Sequence, residues 1–83
     1  MKLMYFAWMR QRIGTGQEDV ALPEEVTTTS ELIDWLAARG GGYAEAFKDR
    51  AAIKVAVDQE FAGFDTSIRE AGEIAFFPPV TGG

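Results

Sequence analysis

One helix, strongly signalled at both ends, stands in a chain whose other apolar stretches read as short strands. Thr28 followed by Glu31 matches a capping box: the threonine hydroxyl accepts from the Glu31 amide, and the Glu31 carboxylate accepts from the Thr28 amide. Leu32, Trp35 and Leu36 then define one apolar stripe, and the helix is expected to run to Arg39. Gly40-Gly41-Gly42 stops it, because glycine enters the left-handed C-terminal conformation at little steric cost. A shorter helical turn is expected over residues 43–48.

Around that helix the pattern changes to strands. Lys2 to Met9 (KLMYFAWM) is short, apolar and aromatic, and predicts a strand. Gln17 to Leu22 alternates Glu18, Val20 and Leu22 against Gln17, Asp19 and Ala21. It predicts a second strand, antiparallel to the first and joined to it through the Gly14-Thr15-Gly16 turn. Ile53 to Val57 predicts a third, with Ile53, Val55 and Val57 on one face and Lys54, Ala56 and Asp58 on the other. Asp58-Gln59-Glu60 turns the chain into a short strand near Phe61 and Ala62, and Gly72 marks a further turn. Glu73 to Phe77 is the last strand, ended by Pro78-Pro79, since proline cannot donate to a ladder. This order resembles the β-grasp, or ubiquitin-like, fold, an α+β architecture with a mixed sheet wrapped around one main helix. Residues 1–77 are expected to form that domain, and residues 78–83 an extended, mobile C-terminal tail.

Composition narrows the function. With 83 residues the chain makes one domain, and 47% apolar content is ordinary for a globular one. Eight Lys and Arg against thirteen Asp and Glu leave a net charge of −5, which argues against binding nucleic acid or an anionic membrane. The acidic residues, Glu18 and Asp19 among them, read for the most part as solubility charge, the alternative being that some of them steer docking onto a basic partner. Cysteine and histidine are absent. That removes disulfides, thiol nucleophiles, imidazole bases and most metal sites, so the chain is expected not to be catalytic alone and to bind no permanent cofactor. No apolar run approaches the roughly 18 residues of a membrane span, and a cytoplasmic location is expected.

Two features remain without a housekeeping explanation. One helix covers one face of a sheet, yet in the first and last strands a large aromatic falls on the other face whichever set packs inward. Such exposed apolar area marks a docking patch. The second feature is the ending Phe77-Pro78-Pro79-Val80-Thr81-Gly82-Gly83. The prolines stiffen the exit from the sheet, and six residues from Pro78 reach about 20 Å. Gly82 and Gly83 have no side chains, so they suit a narrow channel and can present a terminal carboxylate to another protein's active site.

The run Ala75-Phe76-Phe77-Pro78-Pro79-Val80-Thr81-Gly82-Gly83 resembles the C-terminal signature of the molybdopterin synthase small-subunit family of bacterial sulfur carriers. Phe6-Ala7, the helix start at Thr28 and Val57-Asp58-Gln59 fit the same family, so the resemblance covers nearly the whole chain. A terminal Gly-Gly alone would be weak, because ubiquitin and the thiamin sulfur carrier share it. Trp35 and Gly40-Gly41-Gly42 fall outside the family's features. The resemblance implies that an ATP-using adenylating enzyme activates the Gly83 carboxylate and that a sulfur donor converts it to a thiocarboxylate. The tail then enters the large subunit of a heterotetramer, where sulfur passes to a pterin precursor to build a dithiolene. It also implies that Phe6, Phe61 and Phe77 dock on the partner, that Pro78, Pro79, Val80 and Thr81 contact it, and that Gly82 threads the channel. A carrier serving thiazole synthesis and a ubiquitin-like protein modifier are the alternatives.

Overall fold

The computed structural model describes residues 1–79. Nine short elements follow one another: β1 (Lys2–Tyr5), α1 (Ala7–Ile13), β2 (Gln17–Asp19), α2 (Thr29–Ala37), α3 (Gly41–Ala46), a 3-10 turn (Arg50–Ala52), β3 (Lys54–Val57), β4 (Glu60–Ala62) and β5 (Glu73–Phe77). The strands form one mixed sheet in the order β2-β1-β5-β3-β4. The central pair β1/β5 is parallel, with Leu3 opposite Ile74 and Tyr5 opposite Phe76; the other pairs are antiparallel.

Helix α2 forms as its ends dictate. Thr28 is the N-cap, its hydroxyl accepts from the Glu31 amide, and Glu31 Oε1 accepts from the Thr28 amide at 3.1 Å. Leu32, Ile33 and Leu36 are fully buried, whereas Trp35 is half-buried at the stripe's edge. These residues meet Leu3, Tyr5, Val55, Ile74 and Phe76 from the sheet, together with Met9 and Phe47, in one core.

The strand expected over Lys2–Met9 ends at Tyr5, and this is the main correction. Phe6 keeps extended geometry, Ala7 takes φ 54°, and the chain then winds into α1. Trp8 and Met9 are therefore helical. Met9 enters the core, while Trp8 lies under the Arg12 guanidinium, 5.5 Å from the ring centre. Gly14 is accordingly a helix stop rather than part of a strand-to-strand turn: at φ 98° its amide donates to the Arg10 carbonyl. The second strand is also shorter than expected, three residues long. Helix α3 packs against α1 so closely that a Cβ on Gly42 would sit 1.9 Å from the Arg12 carbonyl oxygen, a contact only glycine allows.

The β3–β4 turn needs two left-handed residues, as two-residue hairpins of the sheet's twist do. Asp58 and Gln59 supply them, at φ 49° and 72°. Asp58 Oδ1 accepts from the amides of Gly72 and Glu73 at 2.9 and 3.0 Å, which ties this turn to the start of β5.

Candidate functional site

Phe6 sits at the corner where β1 becomes α1. Its amide donates to the Phe76 carbonyl at 3.0 Å, extending the parallel pairing by one residue, and its carbonyl accepts from Met9. That corner leaves the Phe6 ring 42% exposed and 6.1 Å from the Phe77 ring, edge to face. On the other side Phe61 of β4 reaches Phe77 at 5.4 Å, again edge to face, and is 71% exposed. Phe77, half-buried, is thus the middle ring of three.

Small residues make this contact possible. Strands β4 and β5 lie on either side of β3, about 9.5 Å apart. The residue between Phe61 and β5 is Ala56, opposite Phe61 on one side and Ala75 on the other. With only methyl groups beneath them, the rings lean together and cover Ala56, which is 9% exposed. Larger side chains at either alanine would hold the rings apart.

The structure therefore brings Phe6, Phe61 and Phe77 into one patch at the end of β5. Pro78 and Pro79, both half-buried, follow directly. Val80, Thr81, Gly82 and Gly83 lie outside the described residues. The sequence reading put Lys54 and Ala56 on the sheet's second face but did not connect them, or Met4 and Ala75, with the patch. Strand register makes that connection, and the alternation of each strand alone does not carry it.

A second cluster looks chemically richer and is not a site. Glu18, read from the sequence as solubility charge, instead accepts from Tyr5 at 2.8 Å, Tyr43 at 2.6 Å and Arg39 at 3.0 Å. The Arg39 guanidinium in turn lies between the Trp35 and Tyr43 rings, at 4.6 and 4.9 Å. Burial pushes the Glu18 carboxyl up, but the hydrogen bonds from Tyr43, Arg39 and Tyr5 outweigh it and hold the group below its ordinary value. Burial, and then the Glu18 carboxylate, push both tyrosine hydroxyls up. A carboxylate saturated by three donors, beside phenols held protonated, has no proton to trade near neutrality. The cluster clamps β2 to the helices. Among the described residues no group of acidic side chains is placed to hold a metal ion. No helix among them is long and apolar enough to cross a membrane.

The sequence profile of the ThiS family matches residues 3–83. The molybdopterin synthase sulfur carrier subunit of Escherichia coli is 36% identical over 83 residues, covering 100% of this chain and 99% of that protein. Among solved structures, a molybdopterin converting factor subunit 1 from Pyrococcus furiosus superposes with a TM-score of 0.74 at 28% identity, covering 95% of each chain. SAMP1 from Haloferax volcanii superposes at 0.72 with 25% identity, covering 100% of this chain and 98% of that one.

Proposed function

The chain belongs to the ThiS family, and on that premise we propose that it is the sulfur-carrier small subunit of a molybdopterin synthase. The observation that carries the reading is the convergence of Phe6, Phe61 and Phe77 where β5 hands over to the Pro78-Pro79-Val80-Thr81-Gly82-Gly83 segment. An apolar anchor at the root of a segment that ends in two glycines is what delivery of a terminal group into another protein's active site requires.

The chemistry follows from the terminus. The Gly83 carboxylate attacks the α-phosphorus of ATP on an adenylating enzyme, releasing pyrophosphate and forming an acyl-adenylate. A donor of sulfide-level sulfur attacks the acyl carbon and displaces AMP, leaving a thiocarboxylate. The patch then docks on the large subunit, Pro78 to Thr81 line the entry and Gly82 passes the channel. The thiocarboxylate sulfur bonds to a pterin precursor, and water cleaves the acyl–sulfur bond, leaving the sulfur on the pterin and returning Gly83 as a carboxylate. ATP is used by the activating enzyme, and this chain holds no cofactor of its own. Two small subunits flank a large-subunit dimer, and the work takes place in the cytoplasm. The absence of cysteine supports the reading, because the sulfur needs no thiol when the terminus carries it.

Intact mass from the native host, with fragmentation, tests this. A sulfur-for-oxygen exchange located at Gly83 is expected, and fragmentation separates it from methionine oxidation, which changes the mass almost equally. Deleting Gly83 is expected to abolish sulfur loading with an unchanged melting temperature. A truncated chain that still accepts sulfur sinks the mechanism. The likeness to SAMP1, the H. volcanii small archaeal modifier protein 1, supports a second reading, a protein modifier joined through Gly83. Lysine-linked conjugates in cells would decide for it.

A further inference from the structure

The open face of the sheet sorts its side chains into rows that run across the strands. In the row farthest from the tail, Lys2 has an acidic cross-strand neighbour on either side, Asp19 and Glu73. The middle row, Gln17, Met4, Ala75, Ala56 and Phe61, carries no charge. The row beside the tail pairs Phe77 with Lys54 across β5 and β3, and Phe6 lies against Phe77. Lys54 is exposed and makes no ion pair among the described residues. The apolar patch therefore has beside its central ring one cation whose neighbour on β5 is a phenylalanine and not a carboxylate.

That placement has a consequence for whatever covers the patch. A surface that seals Phe77 also strips water from the neighbouring ammonium, and an ammonium that loses water without gaining an acceptor opposes binding. A lysine's four-carbon stem can lie along apolar surface and carry the charge to its rim, where an acceptor can meet it. The chain's net charge of −5 attracts basic partners at long range, so a local demand for a negative group sets register rather than general attraction.

We infer that Lys54 is a specificity-determining residue of the docking face. The partner surface that covers Phe77 presents a carboxylate to the Lys54 ammonium beside its apolar centre. Surfaces that place a cation or bare hydrocarbon there are disfavoured. The inference rests on the reading that this partner is the synthase large subunit.

Titrating the full chain against the large subunit by calorimetry, at low and high salt, tests it with two variants. Lys54→Glu is expected to weaken binding about ten-fold or more, with the gap narrowing as salt rises. Lys54→Met keeps the stem and loses the charge; it is expected to bind only a few-fold more weakly, with a flatter salt dependence than the wild type. Melting temperatures of both should match the wild type, since the side chain is exposed. Wild-type binding that Lys54→Glu leaves within about two-fold overturns this inference alone. A wild-type chain that does not bind the large subunit overturns the proposed function and this inference with it.

Discussion

Each face of the sheet carries its own aromatic cluster, and the two have similar ring spacings. On the inner face Phe76 meets Tyr5 at 6.0 Å and Phe47 at 4.9 Å; on the open face Phe77 meets Phe6 at 6.1 Å and Phe61 at 5.4 Å. Consecutive residues of one strand thus serve the two clusters: Phe77 is the hub of the open one, and Phe76 packs in the inner one, whose hub is Tyr5 with Tyr43, Phe47 and Phe76 around it. Distance between rings does not tell a core from a docking surface. Cover does: Phe76 is fully buried beneath the helices, while Phe77 has open-face neighbours that are 42% and 71% exposed. Chemistry separates them too. The inner cluster contains a tyrosine whose hydroxyl must be satisfied, and Glu18 satisfies it. The open cluster is all phenylalanine, so its three rings have no polar atom of their own to strand when covered, and the demand for an acceptor comes only from Lys54 beside them.

The sharpest test of this contrast is Phe76→Ala. Emptying a fully buried phenylalanine site is expected to cost about 3–5 kcal/mol. In a domain this small that approaches the whole folding free energy, so thermal or urea denaturation should find the variant largely unfolded. Its neighbour should behave oppositely. Phe77→Ala is expected to weaken large-subunit binding about ten-fold or more, as loss of a buried phenylalanine contact implies, while stability falls by about 1 kcal/mol. A loss of stability matching that of Phe76→Ala would show that the open face is core after all.

The smallest effect comes from the polar anchor that only the inner cluster has. Glu18 is held below its ordinary 4.5 in the folded chain, so its contribution is complete above that value and is lost as pH falls through the folded-state value. Melting temperatures recorded from about pH 7 down to pH 3 should decline, and the decline should be shallower in Glu18→Gln. The exposed Glu31 and Glu45, also lowered, account for part of the slope that remains.

What the sequence made legible was local. The capping box of α2 and the end of β5 at Pro78 are signals carried by adjacent residues, and both lie where the sequence reading put them. Helix α1 was missed because Leu3 to Met9 is uniformly apolar, and an apolar run has no period to betray a change from strand to helix. Two weaker signals were present: basic residues Arg10 and Arg12 in the last turn, then Gly14 where a C-terminal glycine belongs. At the candidate site, alternation within a strand put Phe77 on the face opposite Phe76. Bringing Phe61 beside it across Ala56 required the register of three strands, which is set by pairing between segments far apart in the chain. The burial of Glu18 was hidden for the same reason, since its partners Arg39 and Tyr43 come from distant turns.

The parallel pairing of β1 with β5 has a consequence for how the protein is made. Without β5 the sheet is two separate pairs, β2 with β1 and β3 with β4, with nothing between them. A chain emerging from the ribosome therefore holds both halves unjoined, their apolar faces open, until its final strand has been synthesised. Folding cannot run ahead of translation here, and joining two pairs through a late, sequence-distant strand is a slow kind of step. Nascent chains broken off before Glu73 should be left to proteases and chaperones, and should not compete with complete carriers for a partner.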